Sequence, residues 1–172
     1  MNAASSIDGR WKPSVTVAAV IEQGGRFLLV EEESMDGLKL NNPAGHLDPG
    51  ESPEQGCVRE VLEETACHFM PQALVGIYLA RKQSDHSGED ITYLRFAYCG
   101  SVGAPELGRA LDTGIVRTLW LTPEEIRASA ARHRSPLLLQ CMEDYLAGRR
   151  YPLELVFAHP SLAAAPKRGS PV

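Results

Sequence analysis

The stretch GHLDPGESPEQGCVREVLEET, residues 45–65, gathers Glu51, Glu60, Glu63 and Glu64 with a single arginine, Arg59, around one predicted helix. Ser52, Pro53 and Gln55 form a helix-start signal: an N-cap serine, a proline at the first helical position and a returning side chain at the third. Glu60, Glu63 and Glu64 then fall at i, i+3 and i+4, so their carboxylates leave neighbouring points of one face. Like charges at that spacing destabilise a helix by roughly a few tenths of a kcal/mol per pair. The acids also sit toward the C-terminal end, where the helix dipole disfavours them. Acidic helix surface is ordinarily just a solvated face, but two local rules broken together mark a metal or functional site. A hard divalent cation such as Mg²⁺ relieves the crowding, because it takes oxygen ligands and keeps waters that substrate phosphates can replace.

Cys57, Val58, Val61 and Leu62 form the apolar side of this helix and anchor it to a sheet, which turns the acids outward into a cleft floored by residues 45–51. The Pro49–Gly50 pair folds that loop tightly and returns Glu51 toward Arg59 as an ion pair. Outward from the helix, residues 14–22 and 26–33 are β-branched and apolar on either side of Gln23–Gly25, a hairpin pattern. Residues 38–47 read as extended, since Pro43 disfavours helix before it. Further strands are expected at 73–81, 91–100 and 116–121, the first two joined by a polar, acidic loop. Thr122, Pro123 and Glu125 repeat the helix-start signal. Ser135 and Pro136 give it without the acid, for a helix ending at Ala147 with Gly148 just beyond. This order indicates an α+β fold with a mixed sheet rather than a regular βαβ array. The ordered domain is read as 11–157, between a flexible N-terminus at 1–10 and a flexible tail at 158–172 rich in Pro, Ala, Gly and Ser.

The chain has 172 residues, 44% hydrophobic and 23% charged, and a net charge of −5, so no basic field gathers nucleic acid and an anionic ligand needs a cation to mediate. Cys57, Cys67, Cys99 and Cys141 form no C-x-x-C pair and read as buried free thiols. The first ten residues are polar, without a signal-peptide core, and no apolar run is long enough to span a bilayer. A cytoplasmic protein is expected, monomer or homodimer, with no membrane or nucleic-acid partner.

Gly45, Glu51, Arg59, Glu60, Glu63 and Glu64 fit the pattern G-x5-E-x7-R-E-U-x-E-E-x-G-U, where U is apolar. Val61 and Cys67 fill the U positions, and Ala66 replaces the last glycine. The pattern resembles the signature box of the Nudix hydrolases. Beyond the box, KPSVTVAAVI (12–21), NNPAGHLDPGE (41–51), YLRFAY (93–98), WLTPEEI (120–126), RSPLL (134–138) and GRRYPLEL (148–155) are similar to the NudJ-type phosphatases of that family. The resemblance implies a Nudix-type α/β/α sandwich around a mixed β-sheet. It also implies Mg²⁺- or Mn²⁺-dependent cleavage of phosphoanhydride bonds in nucleoside tri- and diphosphates and in thiamine-pathway diphosphates, namely hydroxymethylpyrimidine diphosphate and thiamine diphosphate. Glu60 and Glu64 become metal ligands, Glu63 a further ligand or the base that orients water, and Glu51 with Arg59 the structural ion pair. The backbone carbonyl of Ala44 is the implied ligand from the chain itself. Ala66 bears on how sharply the helix ends more than on the metal. An ADP-ribose or sugar-nucleotide pyrophosphatase is the runner-up. A non-catalytic nucleotide-sensing domain is the competing class, although such modules usually lack one of the box acids.

Outside the box, His46, Arg81, Tyr93 and Arg95 are candidates for contacting substrate, beside Lys39 and Lys82 as outer-phosphate cations. Glu89, Asp90 and Asp112 are candidates for a fourth carboxylate, with solvated loop charge as the plainer reading of each. Trp120, Tyr93 and Phe96 default to core packing, with ring stacking on substrate as the sharper alternative. His68, His86, His133 and His159 have no partner at ligand spacing.

Overall fold

The computed structural model describes residues 10–83, 88 and 90–163. Strand β1 (Ser14–Gln23) and β2 (Arg26–Ser34) meet at Gly24 and Gly25, both at positive φ as a two-residue hairpin turn requires. Then follow β3 (Gly37–Asn41), β4 (Ala44–His46), helix α1 (Pro53–Thr65), β5 (Phe69–Gln83), β6 (Asp90–Val102), β7 (Ile115–Leu121), α2 (Pro123–Ala128) and α3 (Leu137–Leu146). Residues Pro160–Ala163 form a 3-10 turn. His86 and Glu89 lie outside the described residues.

β1 is the strand around which the site is organised. It pairs β2 only beside the turn, at Glu22–Phe27 and Gln23–Arg26, and the two strands then part. β4 takes the edge of β1 that β2 leaves, pairing Thr16–His46, Val17–Gly45 and Ala18–Ala44, while β2 goes on to pair β3 and β7. On its other edge β1 runs parallel to β6, from Ser14–Tyr93 to Ile21–Gly100, and the other pairings between these strands are antiparallel. The result is a mixed seven-stranded sheet with the divergence of β1 and β2 opening a gap beside β4.

Both faces of the sheet are covered, and residue alternation on β1 and β2 shows how. Val17, Ala19, Ile21 and Leu28 pack with Cys57 and Val61 of α1, whereas Val20, Phe27 and Leu29 pack with Leu138, Cys141 and Met142 of α3 and Ile126 of α2. All four cysteines are buried and free. Among the described residues, no helix is long and apolar enough to cross a membrane.

Three details depart from the sequence expectations. β5 starts at Phe69 and passes through Pro71, where 73–81 was expected. It is the terminal strand of the sheet order, and the pairing shifts register between Pro71 and Ala73, the edge-and-bulge setting that tolerates proline. α3 begins at Leu137 with Pro136, not Ser135, at the cap, although Ser135 Oγ accepts from the Leu137 N–H at 3.2 Å. Ala66 ends α1 cleanly: it adopts φ 59°, ψ 14°, and its N–H donates to the Leu62 carbonyl at 3.0 Å. An alanine therefore holds the left-handed conformation that glycine adopts without steric cost. Ala66→Gly is expected to raise stability by about 0.5–1 kcal/mol, the relief of φ strain outweighing the lost methyl and the added chain entropy. A thermal midpoint at or below that of the wild type excludes this account.

Candidate active site

α1 is capped as its sequence dictates, with Ser52 Oγ accepting from the Gln55 N–H and the Gln55 side chain accepting from the Ser52 N–H. Its buried face is not the expected one. Cys57 and Val61 do enter the core, but Val58 and Leu62 are only half-buried, and Glu60 and Glu64 are buried at 8% and 7% exposure. The acids do not all face outward: two lie under β4, and only Glu63 reaches solvent, its side chain 39% exposed. A solvated acidic face is thereby excluded for Glu60 and Glu64.

Arg59 organises these carboxylates. Its Nε and Nη2 donate to the two oxygens of Glu51 at 3.0 and 2.7 Å. Nη1 donates to Glu60 at 2.7 Å and to Glu63 at 3.1 Å, and Nη2 also donates to the His46 carbonyl at 2.9 Å. Glu51 in turn accepts from the Asp48 N–H at 2.7 Å, which closes the loop before the helix. Two glycines make this geometry physically achievable. A Cβ on Gly45 would lie 2.2 Å from the Glu60 carboxylate, and one on Gly56 would lie 2.7 Å from Glu51 Oε1. Both carboxylates occupy space that any larger residue would fill.

The electrostatics follow from burial. The Arg59 hydrogen bonds hold Glu51 below the usual carboxylate range, against the desolvation that pushes it up. Burial raises Glu60 despite Arg59, with Glu63 and Asp112 adding to the rise. Burial pushes Glu64 up to about 8, against the Ala44 N–H that donates to it at 2.8 Å. Asp112 is brought in by the chain after β6: its N–H donates to the Glu63 carbonyl at 2.9 Å, and the Glu106 N–H donates to the Ala66 carbonyl at 2.8 Å. It lines a cleft of about 290 Å³ with Glu60, Glu64, Glu32, Ala44 and Gly45. Asp90 is not there; Arg81 clamps both its oxygens at 2.7 Å at the start of β6. Among the described residues, no three acidic, histidine or cysteine side chains are already gathered as a metal cage. Arg59 and the Ala44 amide hold the box carboxylates instead. The donor set is nonetheless all carboxylate oxygen and partly desolvated, which suits a hard divalent ion.

A second cavity of about 440 Å³ adjoins the cleft across β4. His46, Arg81, Tyr93 and Arg95, dispersed in sequence, all line it. Tyr93 thus leaves the core expected for it, whereas Phe96 and Trp120 pack against the α1-side core. Lys39 does not reach this cavity; its Nζ donates to the Ala131 carbonyl at 3.3 Å. His68 and His159 are exposed and His133 is half-buried.

The sequence matches the NUDIX domain family over residues 10–141. The chain is a Nudix hydrolase. It is 34% identical over 146 residues to "Phosphatase NudJ" of Escherichia coli strain K12, covering 85% of this chain and 92% of that one. The structure of a Nudix hydrolase from Nitrosomonas europaea superposes with a TM-score of 0.79 at 54% identity, over 86% of this chain and 98% of that one. An ADP-ribose pyrophosphatase from Streptococcus suis 89-1591 superposes at 0.58 over 80% of this chain and 91% of that one; at 18% identity it shows the shared fold alone. As a NudJ-like Nudix hydrolase the chain acts on phosphorus-containing anhydrides in small-molecule substrates, and family members generally use divalent metal ions.

Sequence reasoning missed Glu32, Asn41, Arg134 and Gly56. Glu32 lines both cavities. In sequence it is one of three consecutive acids closing an apolar strand; the only signal was that the strand pattern sends alternate members to opposite faces.

Two outcomes are expected in this Nudix site. Gly45→Ala displaces the Glu60 carboxylate and lowers kcat/KM about a hundredfold, as a roughly 1 Å misplacement does, without loss of the far-UV helix signal; unchanged turnover refutes the contact. Glu64 ionises at about 8 in the fold against an ordinary 4.5, so it favours the metal-free fold most at low pH, and that stabilisation fades as pH rises from about 4.5 through about 8. Glu64→Gln removes this fade, and divalent-ion affinity of the wild type climbs over the same interval as the ion displaces the proton. Denaturation midpoints and ion titrations between pH 5 and 8 check both.

Proposed function

We propose that this chain is a cytoplasmic Mg²⁺- or Mn²⁺-dependent hydrolase of nucleoside tri- and diphosphates and of hydroxymethylpyrimidine diphosphate and thiamine diphosphate, with residues 11–157 as its working domain. The observation that carries the reading is the burial of Glu60 and Glu64 together beneath β4, at a cost in desolvation that a bound cation offsets. Glu60 and Glu64 hold the cation, with the Ala44 carbonyl and Glu63 as further donors and Asp112 as the fourth carboxylate. Bound there, the cation offsets phosphate charge and makes a water more acidic. Glu63, the box acid that reaches solvent, orients the attacking water and takes its proton. Arg59 and Glu51 brace the helix and loop so that these groups keep their spacing. His46, Arg81, Tyr93 and Arg95 line the space beside the cleft where the rest of the substrate sits. Likeness to a phosphatase at 34% identity supports this reading over a pyrophosphatase acting on ADP-ribose, whose structural likeness bears on fold alone.

Glu60→Gln and Glu64→Gln are each expected to lower Mg²⁺-dependent turnover about a thousandfold, the several kcal/mol a metal ion contributes to charge stabilisation, with the fold retained. A substrate panel scored for phosphate, pyrophosphate or nucleoside monophosphate release tests the rest. Intact turnover in both variants overturns the metal assignment, and a strong preference for ADP-ribose overturns the substrate assignment.

A further inference from the structure

The loop between β6 and β7, residues 103–114, carries Asp112 to the cleft with no helix or strand of its own, and residues 103–110 are exposed. Loops of about a dozen residues without regular structure are uncommon in compact domains, and a side chain delivered by one keeps its place only if the loop is fastened. Two amides of this loop are held by α1. The Glu106 N–H donates to the Ala66 carbonyl at 2.8 Å, and the Asp112 N–H donates to the Glu63 carbonyl at 2.9 Å. Both carbonyls belong to the end of α1, where a helix has no further amides of its own to offer them. The loop therefore caps the same helix that carries the box acids.

A side-chain clasp fixes the first of these points. Glu106 Oε1 stands 2.5 Å from His68 Nε2, just past the end of α1, and Glu106 Oε2 accepts from Arg109 Nη1 at 3.0 Å. One carboxylate thus grips the helix end with one oxygen and the loop with the other. The Gly103 N–H donates to the His68 carbonyl at 3.4 Å, so the loop also departs from β6 along that residue. Beyond the clasp, the Thr113 N–H donates to Asp112 Oδ1 and the Glu33 N–H to the Gly114 carbonyl, each at 2.8 Å. Glu106, His68 and Arg109 do not line the cleft, and all three side chains reach solvent. Exposed ion pairs add little to stability, so what this clasp contributes is the place of the loop.

We infer that Glu106 is a positioning residue for the cation site. Bridging His68 and Arg109, it straps the β6–β7 loop to the end of α1 and keeps Asp112 beside Glu60 and Glu64 in the cleft. The inference rests on the reading of Asp112 as the fourth carboxylate.

The test titrates Mn²⁺ by calorimetry into the metal-free wild type, Glu106→Ala, Glu106→Gln, Asp112→Asn and the Glu106→Ala/Asp112→Asn double variant. Amide hydrogen exchange at Asp112 and Thr113 is followed in the same metal-free proteins. Glu106→Ala is expected to weaken Mn²⁺ binding by roughly threefold to tenfold, the scale of two exposed charge contacts, and to speed exchange of both amides by a similar factor, with the far-UV signal unchanged. Glu106→Gln loses the same charge but keeps an acceptor for Arg109 and an N–H for the His68 ring, so it binds Mn²⁺ within about twofold of the wild type. In the Asp112→Asn background Glu106→Ala has no further effect, since side chains without a shared contact couple only when one acts through the other. His68→Ala opens one side of the clasp, gives a smaller loss of the same kind, and carries the test if Glu106→Ala does not fold. Unchanged affinity or exchange in Glu106→Ala overturns the inference alone. So do equal losses in Glu106→Ala and Glu106→Gln, which mean an effect of charge only, and additive losses in the double variant. Full Mn²⁺ affinity in Asp112→Asn overturns the fourth-carboxylate reading and the inference with it.

Discussion

The Arg59 guanidinium is the contact on which the site depends, because among the described residues it alone reaches Glu51, Glu60 and Glu63 together. Its planar fork fixes Glu51 through two parallel bonds and still has N–H groups to spend on the helix acids and on the His46 carbonyl. A lysine, a point charge on a flexible stem, has no equivalent geometry. The loop after β4 and the helix that follows it are thereby locked in one register. What this contact contributes is position more than stability, for the pair is partly exposed and such pairs contribute little on their own.

Close packing does the rest. Carboxylates can press against β4 and against the first turn of α1 only because Gly45 and Gly56 present no side chain there. The gap they occupy exists because β1 and β2 separate two residues after their turn and β4 fills only part of the vacated edge. A sheet that stayed paired along its whole length would have no cleft.

How much of this was legible in the sequence follows from how local each feature is. The capped starts of α1 and α2, the hairpin glycines and the alternation of β1 and β2 are set by neighbouring residues and were readable. So was the grouping of Glu51, Arg59, Glu60, Glu63 and Glu64, which one loop and one helix bring together. The burial of Glu60 and Glu64 was not readable, because it depends on β4 lying over α1, and helical spacing alone assigns acids to solvent. Glu32 and Asn41 were missed for the same kind of reason: their neighbours Arg95 and Arg134 come from strands and loops far along the chain. Ala66 was readable as a departure from the pattern, but only the backbone shows that the departure changes no geometry.

The parallel pairing of β1 with β6 has a consequence for how the molecule comes apart. Ala44 and Glu64 are 20 positions apart, so the metal side of the site is nearly local structure. Ser14 pairs with Tyr93, 79 positions later, and the cavity that β6 helps to wall exists only once that distant closure is made. Contacts that close long loops carry the larger entropy cost, yet β1 and β6 are also deeply buried, so their separation belongs to global unfolding. The β4 segment over Glu60 and Glu64 is itself held on β1, and both sides of the site are therefore lost together.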